Sequence, residues 1–275
     1  MIFANHALKL IFVHIPKCGG TYVSTVLHYY HGFSEVEHDL SLLRRDDHAN
    51  FCGDPPDPDK AMQGDSVYSI RKKGAVRYLC DNPRHRAIFG ATDDVWRSYR
   101  KFAFVRDPYE RLVSAYMYIK TIQRRDVQAH DARYTDNFGL FLRSIADVSN
   151  FAFSHAFISQ YDHLLGRDGA PAVDAVGDFA RLDEELCRIL RESQAEFPEE
   201  HLHPIHSWIT AGKCIRNASP REFAHTHEYY DQAALDFVND RFSLDFAHFG
   251  FRRCATVAEM RADQRYGPGV LPLDR

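Results

Sequence analysis

Residues Leu8 to Leu27 read LKLIFVHIPKCGGTYVSTVL. The stretch opens on Leu8, Leu10, Ile11, Phe12 and Val13, an apolar run too short for an ordinary helix and rich in strand formers. Such a run predicts a strand buried on both faces, as in a parallel sheet. Pro16, Lys17, Cys18, Gly19, Gly20 and Thr21 come next, then a helical run through Leu27. Strand, glycine turn and helix together present backbone N–H groups and a helix N-terminus to an anion. Consecutive glycines let the backbone turn sharply and approach a phosphate-like group. Lys17 adds a point positive charge, and Thr21 a hydroxyl donor at the helix start. The order differs from the triphosphate loop G-x-x-x-x-G-K-[ST], because here the lysine precedes the glycines. The plainer alternative is a strand-to-helix turn that needs glycine only for its backbone angles.

A second stretch, Lys101 to Lys120, reads KFAFVRDPYERLVSAYMYIK. Phe102, Ala103, Phe104 and Val105 predict another short strand, ending at Arg106. Asp107 then reads as an N-cap, Pro108 as the first helical residue, and Glu110 as the partner in a capping box. Leu112, Ala115, Tyr116 and Ile119 recur at helical spacing and are expected to face a core. Arg106 at a strand end and Ser114 early in the next helix are candidates for a second phosphate. The competing reading for Arg106 is a structural pairing with Asp107 or Glu110.

Taken together, the two stretches resemble the nucleotide-binding motifs of the sulfotransferase superfamily. The nearest likeness is to carbohydrate sulfotransferases of the heparan 2-O and chondroitin 4-O type and their bacterial relatives. HIPKCGGTYV is similar to that family's 5′-phosphosulfate loop, usually HIPKTGGTS, with Cys18 where Thr is common. FAFVRDPYERLVSAY is similar to its 3′-phosphate motif. Weaker likeness continues in SHAFISQYDHLL, RNASPREF and YYDQAALDFVNDRFSLDFAHFGF, so the resemblance spans about residues 8 to 251.

The resemblance implies an α/β fold, a P-loop-like parallel β-sheet flanked by helices. It also implies transfer of a sulfuryl group from 3′-phosphoadenosine 5′-phosphosulfate to a hydroxyl of a carbohydrate, leaving adenosine 3′,5′-bisphosphate, with no metal required. On that basis Pro16, Lys17, Cys18, Gly19, Gly20, Thr21 and Tyr22 would hold the phosphosulfate. Arg106 and Ser114 would take the 3′-phosphate, and Asn217 and Ser219 of the Asn-x-Ser loop would add donor contacts. Lys17 would neutralise the leaving oxygen.

The chain departs from the family at the catalytic base. Relatives often carry a histidine upstream of the Arg-Asp-Pro motif, where Gly90 or Ala91 aligns here. The candidates for that role are Asp94 and Asp93 together, then His85, then His155. For each of them a surface or capping role competes. Two rival functions stand beside the main one: a P-loop nucleotide-dependent kinase, and a non-catalytic nucleotide-binding protein derived from a sulfotransferase.

Bulk properties are compatible with this reading. The 275 residues suffice for one sizeable domain, and 45% hydrophobic with 26% charged residues describe a globular chain. The formal net charge of −4 argues against a nucleic-acid binder driven by overall charge, without excluding a local basic cleft. No apolar run reaches the roughly 18–20 residues that span a bilayer. Animal relatives of the Golgi carry an N-terminal anchor, so its lack here leads to the expectation of a soluble, cytoplasmic, bacterial enzyme, with truncation of a longer chain as the competing explanation. Six scattered cysteines without a C-x-x-C pair are expected to be free thiols.

Elsewhere, residues 44–66 are rich in Asp, Pro and Gly and predict a surface insertion. Val67 to Ile70 and Val76 to Leu79 are expected as short strands. Phe138 to Ile145, Phe151 to Leu165 and Leu182 to Leu190 read as helices, and Asp174 to Phe179 as a strand. HLHPIHSW, from His201 to Trp208, packs three histidines together, but Pro204 breaks any regular ligand spacing, and it is taken as a loop. Thr226 to Phe242 reads as the closing helix, with Tyr230, Ala234, Phe237 and Arg241 along one side. The tail after Arg253 is expected to be loosely packed.

Overall fold

A computed structural model describes residues 2–5, 8–29, 76, 80, 91–125, 137–145, 157–193 and 221–266. The expected insertion, His85, His155, the HLHPIHSW segment, Asn217 and Ser219 lie outside the described residues. The chain divides into two compact units, Met1–Arg106 with Ser149–Asn217, and Asp107–Val148 with Ala218–Arg275.

The first unit is an α/β layer structure. Its sheet has the order β1 (Ile2–Asn5), β2 (Leu10–Val13), β3 (Arg100–Val105) and β4 (Ala175–Asp178). β2, β3 and β4 are parallel, and β1 pairs antiparallel with β2 at the edge. All four residues of β2 are buried, as expected for a strand covered on both faces. Phe12 stacks on Phe102 at 5.2 Å, and Phe104 meets Phe102 edge-on at 6.2 Å, so neighbouring strands share an aromatic layer.

Helices α1 (Gly20–Tyr29), α2 (Asp93–Ser98), α5 (Gln160–Leu164) and α6 (Leu182–Ser193) belong to this unit. α1 buries Tyr22, Val23, Val26 and Leu27, and α6 buries Leu186, Ile189 and Leu190. The tyrosine hydroxyl of Tyr22 donates to Asp183 Oδ1 at 2.5 Å, linking α1 to the start of α6.

Several expectations shift here. The sequence reading placed one strand in the N-terminal segment, and the structure has two. The hairpin turn between them puts Lys9 at φ 51° and is held by Leu8 N donating to Asn5 Oδ1 at 3.0 Å. Val76, expected to begin a strand, is helical and buried. The expected helix over 151–165 is described only from residue 157. There Ser159 caps α5 by accepting from Asp162 N at 3.4 Å, so the helix starts at Gln160.

The second unit is helical: α3 (Pro108–Arg125), α4 (Phe138–Ser144), α7 (Gln232–Arg241), α8 (Ser243–Phe249) and α9 (Val257–Ala262). Asp107 caps α3 as predicted, with Oδ1 accepting from Tyr109 N at 2.9 Å. The Glu110 carboxylate, which the capping pattern directs back to Asp107, accepts hydrogen bonds from Arg221 and Thr226. Leu112, Ala115, Tyr116 and Ile119 are buried as expected, and so are Arg111 and Val113, so α3 is enclosed on more than one stripe. An aromatic cluster fills this core: Tyr109 lies 5.0 Å from Phe246, and Tyr116 5.1 Å from Phe141.

The closing helix is broken. Residues Thr226–Tyr229 form a 3-10 turn, and Asp231 caps a fresh helix by accepting from Ala234 N at 2.7 Å. The new start resets the phase. Ala234, Leu235, Val238 and Asn239 are buried, while Phe237 is half-buried and Arg241 exposed, so the side that carries Tyr230, Ala234, Phe237 and Arg241 is not uniformly enclosed. The segment after Arg253 differs from the loosely packed tail expected up to residue 266. Cys254 N donates to Tyr109 Oη at 3.0 Å, Cys254 O accepts from Asn239 Nδ2 at 2.8 Å, and Tyr266 Oη donates to Asp107 Oδ2 at 2.7 Å. Cys254, Met260 and Tyr266 are buried. Tyrosine and cysteine this far along carried no helical or strand period by which the sequence could announce their anchorage.

Candidate functional site

Parallel strands point their carboxyl ends to one edge of a sheet, and in open α/β sheets ligands bind outside that edge. Three connections leave β2, β3 and β4 there: residues 14–19, Arg106, and the 3-10 turn Phe179–Arg181.

The 14–19 loop is built around its backbone. Cys18 N donates to Ile15 O at 3.3 Å, closing a tight turn, and Val23 N donates to Gly19 O at 3.0 Å, the first bond of α1. The first N–H groups of a helix have no acceptor within it, so those of Gly20, Thr21 and Tyr22 face out of its end. Gly19 has φ 80°, and Lys17 takes φ 69°, a left-handed conformation that L side chains rarely adopt. At Gly20 a Cβ would fall 1.8 Å from His14 Nε2, so the His14 ring occupies the space a side chain would need. His14 was not singled out from sequence. Its place on the loop follows from the strand ending one residue earlier.

Lys17 carries the perturbed charge of the site. Its ammonium is pushed down from the ordinary 10.5 to about 8, first by burial and second by the positive charge of Arg106, with Cys18 acting the other way. Lys17 and Arg106 are 89 positions apart in sequence, 106 less 17, yet one feels the field of the other. The Arg106 guanidinium lies over the Phe179 ring, 4.4 Å from its centroid. Phe179 also covers the loop, since a Cβ on Gly19 would meet its Cδ2 at 3.1 Å and Leu182 Cδ2 at 3.0 Å. Phe179 had no signal in the sequence beyond its position at the end of a predicted strand.

Gln160 joins the two motifs. Its Oε1 accepts from the Cys18 thiol at 3.1 Å and from Arg106 N at 2.8 Å, while its Nε2 donates to Arg106 O at 2.8 Å. The side chain is fully buried. Cys18 is buried too, and its thiol also reaches Pro16 O at 3.6 Å. Cys18 is therefore a donor inside a hydrogen-bonded connection.

The remaining candidates divide by place. Pro16, Lys17, Cys18, Gly19, Gly20, Thr21 and Arg106 come together within the first unit, with Thr21 exposed and Pro16 and Arg106 half-buried. Tyr22 lies there as well, but its ring is buried and its hydroxyl is on Asp183. Ser114 belongs to the second unit, half-buried on α3. Asp93 and Asp94 stand exposed in the first turn of the six-residue α2; Thr92 holds the N-cap position but makes no side-chain cap bond. Asp107 and Glu110, the suggested structural partners of Arg106, have their carboxylates on Tyr266 and on Arg221 with Thr226.

Two cations that feel each other's field at the mouth of parallel strands, beside a helix N-terminus, are the chemistry that would suit a polyanion. The sequence matches the model of the sulfotransferase family over residues 1–252. The chain belongs to the sulfotransferase family. That family includes carbohydrate sulfotransferases, and its members take the sulfuryl group from 3′-phosphoadenosine 5′-phosphosulfate. Neither the comparison with curated proteins nor that with solved structures returned a match. The residues present suit the sulfotransferase donor: Lys17 and the α1 N-terminus fit a phosphosulfate, and Arg106 adds a second fixed positive charge. Among the described residues no helix is long and apolar enough to cross a membrane, and no group of three His, Cys, Asp or Glu side chains is arranged to hold a metal ion.

Proposed function

We propose that this sulfotransferase moves the sulfuryl group of 3′-phosphoadenosine 5′-phosphosulfate to a hydroxyl of a glycan or glycoconjugate. The observation that carries the donor half is the meeting of the 14–19 loop, the α1 N-terminus and Arg106 at the carboxyl ends of parallel strands. Burial and Arg106 both disfavour the Lys17 charge, and the opposite charge of a bound polyanion would offset both. The carbohydrate half is supported by the likeness of HIPKCGGTYV and FAFVRDPYERLVSAY to carbohydrate sulfotransferase motifs.

In the reaction an acceptor oxygen bonds to sulfur as the bond from sulfur to the bridging 5′-phosphate oxygen breaks. The electron pair stays on that oxygen, and the acceptor proton passes to a base. The N–H groups of Gly20 and Thr21 at the α1 terminus would hold the phosphosulfate in line. Lys17 would meet the charge growing on the leaving oxygen, where a fixed cation contributes most. Arg106, with Ser114, would take the 3′-phosphate that separates this donor from ATP. Asn217 and Ser219 remain proposed donor contacts.

For the base we keep the order Asp94 and Asp93, then His85, then His155. Alanine variants at each, assayed for turnover with donor affinity measured separately, test the assignment. If all four retain wild-type turnover, the base is none of them. A cytoplasmic location is part of the proposal, supported by six scattered cysteines with no paired motif, and cell fractionation tests it.

The kinase alternative has the loop order against it, with Lys17 ahead of Gly19 and Gly20. Calorimetric titration with adenosine 3′,5′-bisphosphate, AMP and ATP discriminates the two. Tightest binding of the bisphosphate is expected, and preference for ATP with magnesium overturns the reading. Turnover of labelled donor on a panel of sulfatable glycans, with simple alcohols and phenols as comparison, tests the acceptor class and also separates an enzyme from a non-catalytic binder.

A further inference from the structure

An amide side chain carries an acceptor oxygen and a donor nitrogen side by side, so it can pair with both backbone polar groups of one neighbouring residue. Gln160 does this to Arg106: Oε1 accepts from its N–H and Nε2 donates to its C=O, both at 2.8 Å. The last ladder partner of β3 is Val105, opposite Asp178. Gln160 therefore acts as one further rung, holding Arg106 as if the sheet continued by a residue. The same Oε1 accepts from the Cys18 thiol at 3.1 Å, and Cys18 follows Lys17. Phe157, Ile158 and Ser159 ahead of it are buried, so the amide is delivered from a fixed base.

We propose that Gln160 is a positioning residue for sulfuryl transfer: one amide sets the separation of the Lys17 loop from Arg106, and so the spacing of the two positive charges that receive the donor. This rests on the donor reading above. Binding energy depends on both charges meeting their phosphates together, so a loosened tie should appear as lost donor affinity.

The test uses the full chain with Gln160→Met, which keeps size and removes all three hydrogen bonds. Gln160→Glu is the second variant: it keeps the acceptor and sets a carboxylate against the Arg106 carbonyl. Melting curves fix a temperature at which each variant is folded. Two readouts need no nucleotide. Amide exchange in peptides covering Arg106 and residues 14–20, and alkylation of Cys18 with iodoacetamide, should both accelerate in Gln160→Met. Cys187 and Cys254, both buried, serve as references for general loosening.

The third readout is titration with adenosine 3′,5′-bisphosphate, expected to weaken about tenfold or more when a buried hydrogen-bonded group of this kind is removed. The alkaline midpoint of that affinity, near the Lys17 value of about 8, should move upward as Arg106 is released and the loop opens. Cys18→Ser, which keeps a donor, should bind better than Cys18→Ala. In the Gln160→Met background the two should be equal, because the shared acceptor is gone.

Faster exchange and alkylation with unchanged affinity and midpoint overturn the positioning role, as does unchanged exchange. A wild-type chain that fails to bind the bisphosphate refutes the donor reading instead, while exchange and alkylation still judge the tie itself.

Discussion

Removing the ammonium at Lys17 should make the free protein more stable and the donor complex weaker. The Lys17 value drops from 10.5 to about 8 on folding. At about 1.4 kcal/mol for each pH unit, that difference is a cost of about 3 kcal/mol to fold with Lys17 charged. The sign follows from proton counts. Below about pH 8 both states hold the proton, and the cost is complete. Between about pH 8 and 10.5 the unfolded chain keeps the proton and the folded chain has lost it, so this contribution to stability rises with pH.

Lys17→Met has no such window, and at pH 7 it should raise the unfolding free energy by up to about 3 kcal/mol. Donor binding should move the other way. A charge-assisted contact contributes about 1.5–3 kcal/mol. The bound ammonium should therefore titrate one to two pH units higher than the free one, and affinity for adenosine 3′,5′-bisphosphate should fall about 10- to 100-fold between pH 8 and 10. The phosphates are fully ionised there, since their second pKa is about 6. Calorimetry in buffers of different ionisation heat should detect uptake of most of a proton per ligand near pH 9. Flat affinity across that range, or the same proton uptake in Lys17→Met, refutes the reasoning.

Other outcomes follow from the same geometry. Lys17→Met should lower turnover at saturating donor by more than it weakens bisphosphate binding, because charge on the leaving oxygen peaks in the transition state; a change confined to the Michaelis constant would contradict this. Arg106→Ala should weaken bisphosphate binding about tenfold or more and leave AMP nearly unaffected, and calorimetry giving equal affinities for the two in the wild type would remove the 3′-phosphate assignment. Gly19→Ala should destabilise by about 1–2 kcal/mol in chemical denaturation, from its φ of 80° and the 3.0 Å approach to Leu182; a neutral change would mean that the loop relaxes freely. Asp107 is pushed up from 3.8 to about 6, mainly by burial, so the folded chain holds a proton that the unfolded chain has lost between those values, and this contribution falls as pH rises through them. Asp107→Asn should flatten the stability slope there by about 2–3 kcal/mol, read as denaturation midpoints from pH 4 to 7.

Local rules made two strand-loop-helix units readable along the chain. A short apolar run, two adjacent glycines and a helical period are decided by residues within one turn of each other, and β2 with α1 formed where LKLIFVHIPKCGGTYVSTVL places them. Asp107 and Pro108 stopped β3 and opened α3 for the same reason, since a cap needs only its neighbours. The parallel pairing of β2 and β3 agreed with their apolar composition.

What depended on distance along the chain needed the tertiary structure. The edge strand β1 gains its partner only by folding back on β2, and Ile2 and Phe3 alone give no alternation to read. The break at Tyr230 and the anchorage of Cys254 and Tyr266 rest on Asp231, Asn239, Tyr109 and Asp107, whose roles emerge only when those groups lose water together. At the site, Gln160 was legible as part of a family-like segment but not as a tie, because its partners lie 142 and 54 positions away. The sequence by itself determined which residue types sit at the mouth of the sheet. The depressed charge of Lys17 came only from folding, because desolvation and the field of Arg106 act through space and leave no trace in the order of residues.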